Sequence, residues 1–239
     1  MKKECTDSSK SELEEFVYII SHDLQVPLRG INSYVEMLND TLNDHKSDSA
    51  ILMEKIHKNS AQLKTMLDGL LALSRIKKST FELAKVNIYT QLAKALEIEK
   101  LQSAGFSYSL TGDELCYGVL DLHQLDFMIS CLLTNSLKFR KDSEDVHISV
   151  EVKNTEEGPQ FQFRDNGIGI AEKYYSKIFK PFQKVHAYSA YPGVGLGLTY
   201  TKKIVDEHAG TITIDSTLGK GTMFTVFFPK GPSGHPNLP

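Results

Sequence analysis

The sequence has no run of about eighteen apolar residues, so nothing in it reads as a helix crossing a lipid bilayer. Its start, MKKECTDSSKSELEE, has two lysines but turns acidic without an apolar stretch behind them, which does not read as a secretory signal. The cytoplasm is therefore the expected compartment, with no direct membrane insertion. Cysteine is scarce: Cys5, Cys116 and Cys131 are odd in number and unpatterned, which favours reduced thiols over disulfides or a zinc site. Basic charge is not in excess either. The formal net charge is −3, and no nucleic-acid motif accompanies it, so DNA and RNA are not expected partners. No internal repeat is visible.

What is present suffices for folding. At 239 residues, 41% hydrophobic and 24% charged, the chain can bury the core of one large or two modest domains. Leu13, Val17, Ile20, Leu24, Ile31, Val35, Leu38 and Leu42 recur three and four apart, the seam of a long helix over about 11–43. Residues 39–48 read as its frayed end, a turn and an N-cap. Leu52, Ile56, Ser60, Leu63, Leu67 and Leu70 continue the spacing on a second helix ending near Lys77 and Lys78. Two helices joined by a short turn make an antiparallel hairpin that cannot enclose both seams. A second copy closing a four-helix bundle about a two-fold axis is the simplest completion, and packing on the C-terminal domain is the alternative.

One histidine of the eight stands out on this hairpin. His22 lies two residues from both Ile20 and Leu24, and at about 100° per residue it points away from the seam, towards solvent and beside Asp23. A surface histidine is usually only that. Here Asp23 offers a neighbouring carboxylate, and Pro27 removes an amide donor one turn on, which predicts a kink.

From about Phe81 the pattern changes to short strands and helices. We expect a strand at 85–88, a helix to about 103, a strand at 106–110, and a helix over 122–139 capped by Asp121. Strands at 147–153 and 160–165, a long connection over 170–197, a helix at 198–208 and strands at 211–216 and 222–228 follow. The class is α+β. The expected divisions are a disordered leader at 1–10, the hairpin at 11–78, a linker at 79–84, a second domain at 85–230 and a disordered tail at 231–239.

Candidate ligand-binding residues fall in that second domain. In Asp165-Asn166-Gly167-Ile168-Gly169, at a strand end, two glycines let backbone approach a flat ligand and leave one carboxylate facing it; a simple turn is the bland reading. Gly193-Val194-Gly195-Leu196-Gly197-Leu198 opens a helix, where amide donors and the helix dipole can meet phosphate, or where alternating glycines merely loosen a loop. Asn135 and Lys138, three apart, share a helix face that can serve a hard cation and a phosphate, or simply solvent.

Taken together and in order, these segments resemble the motifs of one family. Ser21-His22-Asp23-Leu24-Gln25-Val26-Pro27-Leu28-Arg29 is similar to the phosphoacceptor box of sensor histidine kinases, nearest their phytochrome-like group. Residues 132–139 resemble the asparagine box, 165–169 the first glycine box, Ile178-Phe179-Lys180-Pro181-Phe182 the phenylalanine box, and 193–198 the second glycine box. The likeness covers about 11–229. It implies a homodimeric helical hairpin followed by a Bergerat-type α/β sandwich ATPase domain.

The same resemblance implies an ATP-dependent histidine kinase with ATP and Mg²⁺ as cofactors and a response-regulator receiver domain as partner. By it, His22 accepts phosphate with Asp23 beside it, Asn135 holds Mg²⁺, and Lys138 contacts phosphate. Asp165 takes the adenine amino group with Thr222 nearby, and Gly167 and Gly169 shape that pocket. Gly193, Gly195 and Gly197 belong to a mobile lid, with Phe179 and Phe182 packing its hinge. Two positions depart from the family pattern. Val26 stands where Thr, Asn or a carboxylate is usual, which puts phosphatase activity in doubt, and Cys131 replaces a common second Asn. A dimeric scaffold or phosphotransfer module with a decayed ATPase domain is the main alternative reading. A mechanical ATPase of the gyrase or Hsp90 kind is the third, disfavoured by the histidine-bearing hairpin.

Overall fold

A computed structural model of the protein describes residues 24–38, 49–76, 81–185 and 193–230. The chain divides between Ser74 and Arg75 into two compact units.

The first unit is helical. Helix α1 covers 24–38 of the described residues, continuing through Pro27, and α2 runs Ser49–Arg75. The two are antiparallel. Lys55 Nζ lies 5.2 Å over the Tyr34 ring, and a Cβ on Gly30 would come within 2.7 Å of Asn59 Nδ2, so contacts run backward on one helix as they run forward on the other. Leu52, Met66 and Leu73 of α2 are buried. Many other apolar side chains are not: Val26, Leu28 and Val35 on α1 and Ile51, Leu67 and Leu71 on α2 are all 40% exposed or more.

The second unit is a two-layer α/β sandwich. Its elements are β1 Leu83–Asn87, α3 Ile88–Gln102, β2 Phe106–Gly112, β3 Tyr117–Asp121, α4 Leu122–Lys138, β4 Val146–Asn154, β5 Pro159–Asp165, α5 Gly197–Glu207, β6 Thr211–Thr217 and β7 Gly221–Phe227. Five strands form one sheet in the order β2-β4-β5-β7-β6, with only β2 and β4 parallel. Strand residues alternate between its faces. Val146, Ile148, Val150 and Val152 of β4, Phe161 and Phe163 of β5, and Phe224 and Val226 of β7 all turn to the buried face. Leu125, Met128, Ile129, Leu132 and Leu133 of α4 and Ile204 and Val205 of α5 supply the opposing layer. Each such side chain contributes about 1.5–3 kcal/mol on burial, so this layer is the main source of stability.

Two local expectations are corrected. Ile88 begins α3 rather than ending a strand, because the extended Asn87 caps the helix, its side-chain oxygen accepting from Thr90 N at 3.0 Å. Strand β3, not anticipated, pairs with β1 in a separate two-stranded sheet. Asp121, expected as a cap, does more than cap α4. Its Oδ1 accepts from Gln124 N at 3.0 Å and its Oδ2 from Glu82 N at 2.8 Å, while its own amide donates to His208 Nε2 at 3.0 Å. His208 Nδ1 lies 2.8 Å from the Ile204 carbonyl. A ring that accepts at Nε2 and donates at Nδ1 is neutral in one tautomer. It stacks on Phe81 at 4.6 Å, so Asp121, through its carboxylate and its own amide, ties the entry of the domain to the end of α5.

Candidate nucleotide-binding site

The C-terminal half of α4, the end of β5, the segment after it and the start of α5 surround a cavity of about 760 Å³, counting the part open to solvent. Asn135, Lys138, Asp165, Gly169, Gly195, Gly197 and Thr222 line it, bringing together residues expected from three separate sequence boxes. Ile168, Ile170, Ile178, Val185, Leu198 and Phe224 make its apolar wall.

Asp165 ends β5 with its carboxylate buried. Its Oδ1 accepts from Gly167 N at 2.9 Å and Thr222 N at 3.2 Å, and its Oδ2 lies 3.3 Å from Ser136 Oγ. Burial pushes the carboxyl above its ordinary range, and the hydrogen bonds from Gly167, Thr222 and Ser136 pull it part of the way back. Gly167 does not line the cavity wall but supplies that amide. Gly169 has φ +72°, and a Cβ there would sit 2.1 Å from the Thr217 carbonyl, so no side chain fits between the loop and the β6–β7 turn.

The polar end is made by α4 and the glycine-rich segment. Asn135 Nδ2 is buried without a hydrogen-bond partner, beside Gly197. Burial lowers Lys138 from the usual lysine range, and it does the same to Lys184, aided by the nearby Lys138. Two under-solvated ammonium groups at one end of a cavity favour an anion. Gly193, at φ +107°, places its Cα beside Lys138, where an added Cβ would be 3.2 Å from Nζ. Gly195 O accepts from Phe182 N at 3.1 Å. Phe182 is buried and holds φ +61°, uncommon for a residue with a side chain, and Phe179 packs edge-on to Phe224 at 6.4 Å. The phenylalanine segment thus anchors the glycine-rich one to the cavity wall.

Sequence reasoning missed the supports. Ser216 Oγ accepts from Ile170 N at 2.8 Å, donates to Gly221 O at 2.8 Å and meets Thr222 Oγ1 at 2.9 Å, while Tyr175 OH bridges the Ser216 amide and carbonyl at 2.7 and 2.6 Å. Asn166, inside the glycine box, faces away from the cavity: it accepts from His147 N and donates to Asp145 O, both at 2.9 Å. Ser136, Gln183 and Lys184 carried no signal of their own. His22 and Asp23 lie outside the described residues, as does the part of the long connection at 186–192. No helix among the described residues is long and apolar enough to cross a membrane.

A helical hairpin followed by this sandwich and this cavity defines the core of a histidine kinase. Residues 12–79 match the family described as the His Kinase A (phospho-acceptor) domain, and residues 120–232 match the histidine kinase-, DNA gyrase B- and HSP90-like ATPase family. Together they take up most of the chain, which belongs to the histidine kinase family of two-component signalling. It is 32% identical over 227 residues to cyanobacterial phytochrome A of a Nostoc species, covering 94% of this chain and 29% of that protein. The chain thus spans under a third of that relative's length. Among solved structures, histidine kinase ThkA in complex with response regulator protein TrrA superposes with a TM-score of 0.66 at 19% identity, covering 96% of this chain and 65% of that one. Full-length ShkA in complex with AMPPNP gives a TM-score of 0.58 at 19% identity, covering 90% and 46%. At these identities the structural likeness establishes the fold.

Proposed function

We propose that this chain is the catalytic core of an ATP-dependent protein-histidine kinase that phosphorylates its own His22 and passes the phosphate to an aspartate of a response-regulator receiver domain. The observation that carries this is the cavity itself, where a buried carboxylate, an unpartnered amide and an under-solvated lysine from distant motifs converge. Adenine enters the apolar part, its amino group donating to Asp165 with Thr222 beside it, in a pocket shaped by Gly167 and Gly169. Lys138 meets the phosphates, and Gly193, Gly195 and Gly197 cover them.

Asn135 suits a magnesium ion that arrives with the nucleotide. Its carboxamide oxygen is the kind of neutral hard donor such an ion takes, its buried, unpartnered Nδ2 is left to donate to a phosphate oxygen, and no cluster of three or more His, Cys, Asp or Glu that could hold a metal occurs among the described residues. When bound, the ion neutralises charge on the phosphates. The chain's own part is orientation. A neutral His22 nitrogen forms the P–N bond as the bond to the bridging oxygen breaks and ADP leaves. Asp23 fixes the imidazole tautomer and takes up its proton. The solved complexes of ThkA with a response regulator and of ShkA with AMPPNP support the partner and the ligand class.

The test is incubation with γ-labelled ATP, followed by acid and base treatment. Label that is lost in acid, retained in base and absent from His22→Gln is the expected result. Free phosphate with unlabelled protein would indicate a simple ATPase, and neither product would indicate a scaffold.

A further inference from the structure

Ser136 follows Asn135 on α4 and is 3% exposed, yet it is a polar residue in an otherwise apolar helix face. Its Oγ stands 3.1 Å from Leu132 O, one turn back, and 3.3 Å from Asp165 Oδ2. Both partners are acceptors, so the single hydroxyl proton is shared between them. The two oxygens of Asp165 are not equivalent. Oδ1 is saturated by two backbone amides, from Gly167 and Thr222, whereas Ser136 supplies the side-chain donor recorded at Oδ2. A carboxylate held through one oxygen alone can still pivot about that oxygen and swing the other one out of line.

We propose that Ser136 is a positioning residue: its hydroxyl donates to Asp165 Oδ2 and locks the carboxylate in the orientation that presents a lone pair to the ligand's amino group. For the identity of the ligand this rests on the nucleotide reading above, while the hydrogen bond stands apart from it. When Asp165 is ionised, the charge-assisted bond to Oδ2 outcompetes the helical carbonyl. When it is protonated, the hydroxyl returns to Leu132, where a buried helical serine satisfies itself. Occupancy of the bond is therefore coupled to the charge that the ligand reads.

The groups around Asp165 leave its acid titration interpretable. Arg164 precedes it on β5, and Lys138 of α4 and Lys184 line the same cavity, so the charged side chains around it are basic ones. Its β4 neighbour Ile148 and its β7 neighbour Thr222 carry no charge. His147 belongs to the opposite face of the sheet, with its ring on Ser107.

The experiment titrates the ¹³C carboxyl shift of Asp165 in the ligand-free protein, wild type and Ser136→Ala, with Asp165→Asn to assign the signal. ATP binding is measured by calorimetry over the same pH range. Removing the hydroxyl leaves burial less opposed, so the Asp165 midpoint should rise by about one pH unit. The acid limb of ATP binding should move up with it, and the affinity loss should shrink to a few-fold above the limb. An unmoved midpoint, or a loss of affinity by one factor at every pH, would reduce Ser136 to an internal helix bond and overturn the proposal. A midpoint that moves in a protein that binds no ATP even as wild type would overturn the nucleotide reading, and the positioning role with it.

Discussion

Asp165 exposes the trade-off at this site most directly. Burial raises its pKa in the folded protein, so the folded state binds the proton more tightly than the unfolded chain does. The stability this represents is present at acid pH and is lost as pH rises through the folded value; at neutral pH the ionised carboxylate weighs against folding. Asp165→Asn removes the charge but keeps an oxygen for the Gly167 and Thr222 amides, and its new amide can donate to Ser136. We expect the ligand-free protein to melt a few degrees higher and ATP affinity to fall at least tenfold, measured by thermal unfolding with and without nucleotide. A lower melting point together with unchanged affinity would mean that the carboxylate is structural. Val26 carries a second prediction. It is 51% exposed on α1 and stands four residues after His22, but its isopropyl group cannot hold a water against an aspartyl phosphate. The wild type should therefore remove phosphate from its regulator only slowly, and Val26→Thr should do so faster; rapid loss with wild type that Thr fails to improve would place the deciding group elsewhere. Asp165 and the glycines were legible in the sequence because they stand in short motifs that gain meaning together and in order, although each alone could be a turn. Ser136 and Ser216 were not, since a serine gains meaning here only from partners 29 residues away in one case and on a neighbouring strand in the other.

At the scale of elements, periodicity served long helices and alternating strands well and failed where a cap or a short strand decided the structure. Helix α4 was read to within a residue because Asp121 and six spaced apolar positions agree. The start of α3 was misread because Val86 and Ile88 look like one strand, while the Asn87 side chain between them turns the backbone into a helix. Strand β3 escaped because it is five residues long, contains Gly118 and pairs with β1, 38 positions away at Leu83↔Asp121 and adjacent only through the fold. Asp121 joins these elements, and its removal is a sharp test of that junction. Asp121→Ala leaves the α4 terminus uncapped and the Glu82 amide without its acceptor, while the backbone bond to His208 persists. Loss of a cap costs about 1 kcal/mol and a stranded, part-buried donor about 1–2 more, so unfolding by denaturant should show a deficit of about 2–3 kcal/mol. A deficit under half of that would mean that water replaces the carboxylate at Glu82.

At the scale of the whole molecule, the two units differ in how completely each buries its own apolar surface. The sandwich encloses a full layer of aromatic and aliphatic residues, several of them with no exposure at all, although Ile98, Leu101, Leu115 and Leu218 on its surface stay more than half exposed. The hairpin leaves Val26, Leu28, Val35, Ile51, Leu67 and Leu71 at 40–57% exposed along both helices. Val35 and Leu67 belong to the seams read from the sequence, whereas Val26, Leu28, Ile51 and Leu71 lie outside them, so the exposed apolar set is wider than the patterned face. Covering half the area of six such side chains in each of two copies would contribute on the order of 10 kcal/mol at about 0.7–1.5 kcal/mol each. Association costs about 4–15 kcal/mol, so a homodimer closed by this face is within reach, and helix packing across a two-fold axis would cover the same residues in both copies. The test is sedimentation of the chain truncated after Lys78. A dimer that dissociates when Leu67 and Leu71 are both changed to Lys is the expected result, because two buried ammonium groups per copy cannot be solvated at that seam. A monomeric fragment alongside a dimeric full chain would instead place the contact in the sandwich, and a dimer indifferent to the two lysines would place it on another face of the hairpin.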